Sequence, residues 1–286
     1  VYEYITIPKC DLKGIVVDNK KLAEMTYEFY NNERMQDSSS RQTFYEVAHK
    51  MVKDFKSKNM KTVDYLVKEF EMRKKADEYK RTATANTGLL DMSSIHSYKF
   101  SDNLFKKVAS VATGKNHGLV MFMDWSGSMS QNLAGTLDQL FNLVLFCRKV
   151  NIPFEVYAFT DRNLRDWVDS DRNWTNELGE LVVNQNLHLL NLFSNSMTIS
   201  QMNFAMASLM MVKMRYDQNY YYNRWSAGIP HYFDLGGTPL DATILASLEL
   251  IPEFQKKNRV QIVNAVFLSD GESHTSCEVY RENEQG

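Results

Sequence analysis

At 286 residues the chain is long enough for one large domain or two ordinary ones, and either arrangement buries a core that needs no external staples. Its 33 Lys and Arg against 35 Asp and Glu leave a formal charge of -2, which excludes the basic excess that draws a protein onto nucleic acid or an anionic membrane. The three cysteines, Cys10, Cys147 and Cys277, are odd in number, far apart and without zinc spacing, so a reducing cytoplasm is expected rather than a disulfide framework or a structural zinc.

No apolar run approaches the ~20 residues of a membrane helix, the longest being Leu140 to Cys147 and Leu119 to Met123. The chain begins at Val1 and shows no signal-peptide pattern, so it reads as a fragment of a longer product.

Taken in order, Asp18 to Met35 reads as a first helix. Phe44, Val47, Ala48, Met51, Val52 and Phe55 then recur at the spacing of one buried helix face, and Ser39 with Gln42 can cap its start. A further helix is predicted from about Lys61 to Arg81, with Val63, Leu66, Val67 and Phe70 inward. The charged run Met72 to Arg81 interleaves acids with bases, which makes it a solvated helix face more than a basic patch. The grain of the chain changes near Gly114, so residues 1–114 form a mainly helical N-terminal region and 115–286 a second unit.

From Gly118 onward short apolar runs alternate with helical stretches. Leu119 to Met123 is continuously apolar and too short for a helix, which is how a strand buried on both faces reads. Leu133, Leu137, Leu140, Phe141, Val144 and Leu145 share one helical face, and Phe154 to Phe159 supplies the next strand, completing a βαβ unit and hence a parallel sheet. Leu181 to Phe193 is apolar enough for strand, Ser200 to Arg215 and Ala242 to Phe254 are helical, and Val260 to Leu268 reads as a buried strand. The fold class predicted is α/β, a doubly wound and mostly parallel sheet preceded by helices.

Ligand sites in such a sheet form at the carboxyl ends of the strands. Three loops stand there: Asp124-Trp125-Ser126-Gly127-Ser128-Met129, Gly236-Gly237-Thr238-Pro239 and Leu268-Ser269-Asp270-Gly271. Together they offer carboxylates and hydroxyls, the oxygen donors that a hard cation such as Mg²⁺ prefers, with Mn²⁺ or Ca²⁺ as alternatives. Mostly neutral ligands leave such an ion with an appetite for one more anionic oxygen from outside. Each loop also has a plainer reading. Thr238, Pro239 and Asp241 suit the N-cap, N1 and N3 positions of a helix, Ser126 and Ser128 can cap a helix from Gln131, and Asp270-Gly271 can turn a corner.

Asp-x-Ser-x-Ser, a later Thr after Gly-Gly and a final Asp-Gly, in that order over residues 116–280, resemble the metal-ion-dependent adhesion site of von Willebrand factor A domains. That resemblance implies a Rossmann-like α/β fold with Asp124, Ser126, Ser128, Thr238 and Asp270 as metal ligands, gripping an Asp or Glu of a partner protein. A complete domain of the family closes with one more helix and strand after the third loop, so 115–286 is expected to be truncated at its C-terminal end, with an unpaired sheet edge.

Gly118 to Met129 and the charged helical segment before it are similar to the von Willebrand A subunit of aerobic cobaltochelatase and to cobaltochelatase-type proteins of tailed phages. The resemblance implies a bacterial or phage-infected cytoplasm and a partner that is a hexameric AAA+ ATPase of the MoxR class, or that machine's substrate. The alternative it carries is a chelatase-like subunit taking part in metal insertion into a tetrapyrrole. Gly-Gly-Thr-Pro sits closer to the general adhesion-site pattern than to the chelatase subunit, which weighs against cobalt insertion.

No Gly-rich phosphate loop and no His-Glu-x-x-His occurs, so neither ATP hydrolysis nor zinc peptidase chemistry by the chain alone is expected. An RNA-binding von Willebrand A protein is disfavoured by the balanced charge and the lack of a helical repeat. The aromatic stretch Tyr216 to Tyr232, with Tyr220-Tyr221-Tyr222, Arg224 and Trp225, reads either as a partner-binding rim or as a packed surface loop.

Overall fold

The structure, a computed structural model, describes residues 5–7, 10, 12–32, 44–80, 82–90, 105–111, 116–162, 164, 179–182, 186–216, 229–271, 273 and 278–279. The expected Ser39 and Gln42 cap, the seam at Gly114, Cys277 and the aromatic run Tyr220 to Trp225 lie outside these residues.

The N-terminal part holds β1 (Val16–Val17), α1 (Asn19–Asn32), α2 (Phe44–Lys80) and the antiparallel pair β2 (Thr82–Leu90) and β3 (Phe105–Val111). Periodicity predicts two helices where the single 37-residue α2 runs. The stretch Lys56 to Lys61 between them contains neither Pro nor Gly, so nothing interrupts the hydrogen-bond ladder. The β2–β3 pair departs from a purely helical reading. Thr82 to Ala85 alternates only Thr with Ala, a contrast too weak to announce a strand.

The remaining elements are β4 (His117–Asp124), α3 (Leu133–Lys149), β5 (Phe154–Thr160), β6 (Leu181–Val182), β7 (His188–Ser194), α4 (Ile199–Tyr216), α5 (Leu240–Asn258), β8 (Ile262–Leu268) and β9 (Glu278–Val279). Five strands form one sheet in the order β1-β7-β5-β4-β8. β4 pairs in parallel with both β5 and β8, β1 pairs in parallel with β7, and β5 with β7 is antiparallel. The sheet is therefore mixed, mostly parallel, with helices on both faces.

Alternation along β4 shows how both faces are used. Met121 and Met123 point into a core shared with α3, α4, α1 and α2, while Val120 and Phe122 meet Ala242, Ala246, Leu250 and Phe254 of α5. Covering both faces removes the need for polar residues in the strand, hence the unbroken apolar run. β8 is the exception. A buried strand is expected from its composition, yet Asn264, Ala265 and Val266 are exposed, because β8 stands at the end of the strand order with β4 as its neighbour.

The N-terminal helices belong to the same core. Leu22 and Tyr30 of α1 and Ala48, Val52 and Val63 of α2 are buried in the cluster that holds Met121, Phe141 and Phe193. Phe141 is fully buried and meets Phe55 of α2 edge-on at 5.6 Å and Phe193 of β7 at 6.0 Å. One ring thus joins the N-terminal helices to the sheet. Among the described residues no helix is long and apolar enough to cross a membrane.

Phe141→Ala should cost about 3–5 kcal/mol, the loss of a buried ring plus the cavity it leaves. Urea unfolding followed by far-UV circular dichroism and by tryptophan fluorescence should show a single lowered transition. Two transitions, with the helices melting apart from the sheet, would refute the shared core. Cys147 is buried, and burial pushes its thiol up to about 12. Iodoacetamide at mildly alkaline pH should leave Cys147 untouched in the native protein and label it in urea. Rapid native labelling would contradict this.

Candidate metal centre

Parallel pairing puts the carboxyl ends of β4, β5 and β8 at one edge of the sheet. Met123 is in register with Leu268 and Asp124 with Phe159. Residues 145 apart in the chain therefore come together: Ser269 Oγ donates to Asp124 Oδ2 at 2.6 Å. From the same two loops, Ser128 Oγ donates to Asp270 Oδ1 at 2.8 Å, and the Ser126 and Ser128 hydroxyls share a 2.8 Å hydrogen bond.

The second loop is bound to the first through its backbone. Gly236 N donates to Trp125 O at 3.0 Å and Gly127 N donates to Gly236 O at 2.9 Å, a parallel bridge between Ser126 and Gly236. Thr238 follows two residues on and is buried. Trp125 adds a fixed point, since its buried indole Nε1 donates to Phe233 O at 2.8 Å and its ring lies against Phe233.

Ser126, Ser128 and Asp270 are thus linked by hydrogen bonds, Asp124 is bonded to Ser269, the chain neighbour of Asp270, and Thr238 is brought alongside by its neighbours' backbone bonds. The centre has a buried floor of Asp124, Ser126 and Thr238 and an exposed rim of Ser128, Ser269 and Asp270.

The plainer readings of these loops lose ground. α3 starts at Leu133 with Asn132 as N-cap and takes no side-chain capping bond, so Ser126 and Ser128 do not cap it. Pro239, expected at N1, is itself the N-cap of α5, and Thr238 lies one residue outside it. The amide of Asp241 donates to Ser273 Oγ at 3.2 Å, so that helix start is served by a residue just beyond the third loop.

Asp124 is where the electrostatics concentrate. Its side chain is fully buried, and Oδ1 has no hydrogen-bond partner among the described residues. Burial raises its pKa, the charge of Asp270 adds to the rise, and polar groups of Ser269 and Ser126 offset part of it. Among the described residues no Lys or Arg forms an ion pair with Asp124 or Asp270. A buried carboxylate beside a second one, with no counter-charge, is a costly arrangement that a cation would relieve.

Among the described residues no group of three or more His, Cys, Asp or Glu is placed to hold a metal. Any cation here would rest on two carboxylates and on hydroxyl oxygens, a donor set that suits Mg²⁺ better than a thiophilic or imidazole-seeking metal. The orphaned Asp124 oxygen and the converging hydroxyls fit such an ion. Asp124, Ser126 and Thr238 from the buried side, and Ser128 and Asp270 toward solvent, are the residues that would hold it.

Ser269 and Trp125 were not singled out by the sequence as functional. Ser269 is a plain hydroxyl whose only signal is its place at a strand end beside Asp270, and Trp125 occupies a position that the motif leaves unspecified.

A carboxylate whose pKa is raised on folding binds protons better folded than unfolded. The cation-free protein should therefore lose stability as pH rises from 3.8, the ordinary value, through the raised one. Asp124→Asn removes that cost. In EDTA at neutral pH it should be more stable than the wild type by on the order of 1 kcal/mol, and Mg²⁺ should no longer raise its melting temperature. Thermal unfolding of both proteins in EDTA and in Mg²⁺ checks this, and a variant less stable than the wild type in EDTA would make Asp124 a structural acid. Comparison of the chain with protein-family models, with curated proteins and with solved structures returned no match.

Proposed function

We propose that this chain is a non-catalytic adaptor of the von Willebrand factor A type, which binds a partner protein through a Mg²⁺ held by Asp124, Ser126, Ser128, Thr238 and Asp270. The observation that carries the reading is the buried Asp124 carboxylate, whose Oδ1 has no hydrogen-bond partner and which, like the nearby Asp270, has no ion-pair partner among the described residues. A divalent cation supplies positive charge there and a coordination position for one external carboxylate oxygen.

What the chain itself contributes is orientation and exposure. Asp124, fully buried, anchors the charge, and Ser269 holds Oδ2. Ser128 and Asp270 stand at the solvent side, where a partner's Asp or Glu can approach. Neutral hydroxyls do not quench the ion, so its attraction for that carboxylate is kept. The partner favoured by the resemblance is a MoxR-class AAA+ ATPase or its substrate, with the N-terminal helices as a second contact surface.

The test titrates a candidate MoxR-class AAA+ ATPase against the wild type in Mg²⁺, the wild type in EDTA, and Asp270→Ala. If the contact carries ~2 to 4 kcal/mol, removing the ion or Asp270 should weaken binding roughly thirty- to a thousandfold, with the fold intact because Asp270 lies in an exposed loop. Equal affinity in all three arms would remove the metal from the interface and shift attention to the aromatic insertion or the N-terminal helices.

A further inference from the structure

In the second metal loop Pro239 restricts Thr238, but the two glycines before it, Gly236 and Gly237, leave a wide choice of backbone conformations. Their place must be imposed from outside. The bonds to Trp125 and Gly127 account for the amide and carbonyl of Gly236. The groups on either side are taken by the end of β5, an element outside the three metal loops.

There Asp161 Oδ1 accepts the Gly237 amide at 2.6 Å, and the Arg162 guanidinium donates to Leu235 O from Nε at 3.1 Å and from Nη2 at 2.7 Å. Carboxylate and guanidinium thus grip opposite sides of one short segment, each through a charge-assisted bond. The fit is close. A Cβ on Gly236 would stand 2.4 Å from Asp161 Oδ1 and 2.8 Å from Thr160 Oγ1, so the glycine is there to admit the acid.

We propose that Asp161 is a positioning residue of the metal centre: by holding Gly237 it sets where the Thr238 hydroxyl stands relative to Asp124 and Ser126. The inference rests on the metal reading above. It touches no metal ligand directly and acts one residue away, through the backbone. Partners of this kind, which orient a ligand without contacting the ion, typically change metal affinity by about 10- to 100-fold when removed. A carboxylate is not essential to the role, since an amide carbonyl can accept the same N–H.

The experiment measures Mg²⁺ affinity by calorimetry for the wild type, Asp161→Ala, Asp161→Asn and Gly236→Ala, together with hydrogen exchange of the Gly237 amide in cation-free protein. Asp161→Ala should raise the Kd for Mg²⁺ by about 10- to 100-fold and accelerate Gly237 exchange. Asp161→Asn should restore most of both, and Gly236→Ala should weaken Mg²⁺ binding with Asp161 still present. A merely structural Asp161 would lower the melting temperature and leave the Kd of the folded protein unchanged, which would overturn the proposal.

Should Asp161→Ala fail to fold, Asp161→Asn and Gly236→Ala decide it: equal Kd for the wild type and Gly236→Ala overturns it. A wild type that binds no Mg²⁺ sinks the metal reading instead. Gly237 exchange then judges the anchor by itself, with acceleration in Asp161→Ala upholding it and no change refuting it.

Discussion

Parallel pairing of β4 with β5 on one side and β8 on the other is the constraint on which everything at the centre depends. Parallel strands end at the same edge, and each end here delivers polar chemistry: Asp124 from β4, Ser269 and Asp270 from β8, Asp161 and Arg162 from β5. An antiparallel neighbour would carry its following loop to the far edge. β7 is such a neighbour of β5, and it supplies none of the residues of the centre.

The same sheet explains why so polar a cluster is tolerated. Its floor is supported by fully buried apolar side chains, Met123 and Trp125 among them, with Phe233 pinned by the Trp125 indole. Folding stability is spent locally for an electrostatic field, a common trade where a ligand is to be bound. Ser269 donates to Asp124 and Ser128 to Asp270, neutral hydroxyls in both cases, and among the described residues no Lys or Arg pairs with either acid.

The N-terminal helices tie into this arrangement through the opposite face of the same strands. α2 packs on α3 by aromatic edge contacts, Phe55 on Phe141 and Phe70 on Phe146, and α3 comes after the loop that holds Asp124, Ser126 and Ser128. β1 adds a short N-terminal strand at the far edge, beyond β7.

Much of the fold was legible in the residues. A continuous apolar run announced β4, because a strand covered on both faces has no polar side to show, the short segment Phe154 to Phe159 after a helical stretch announced β5, and the 3.6-residue spacing announced α3, with further helical stretches at α4 and α5. The Asp124, Ser126 and Ser128 loop was legible for the same reason, as its chemistry lies within five residues. The sequence by itself thus determined the local elements and the candidate donors they carry. Only the tertiary structure decided that two helical patterns join into α2, that Ser269 takes Asp124 Oδ2 while Asp270 takes Ser128, and that Asp161 grips Gly237 across 76 residues of chain. Periodicity and spacing report chemistry a few residues wide. Which strand lies beside which, and so which loop ends meet, follows from packing energies summed over the whole sheet, and no short stretch of sequence carries that sum.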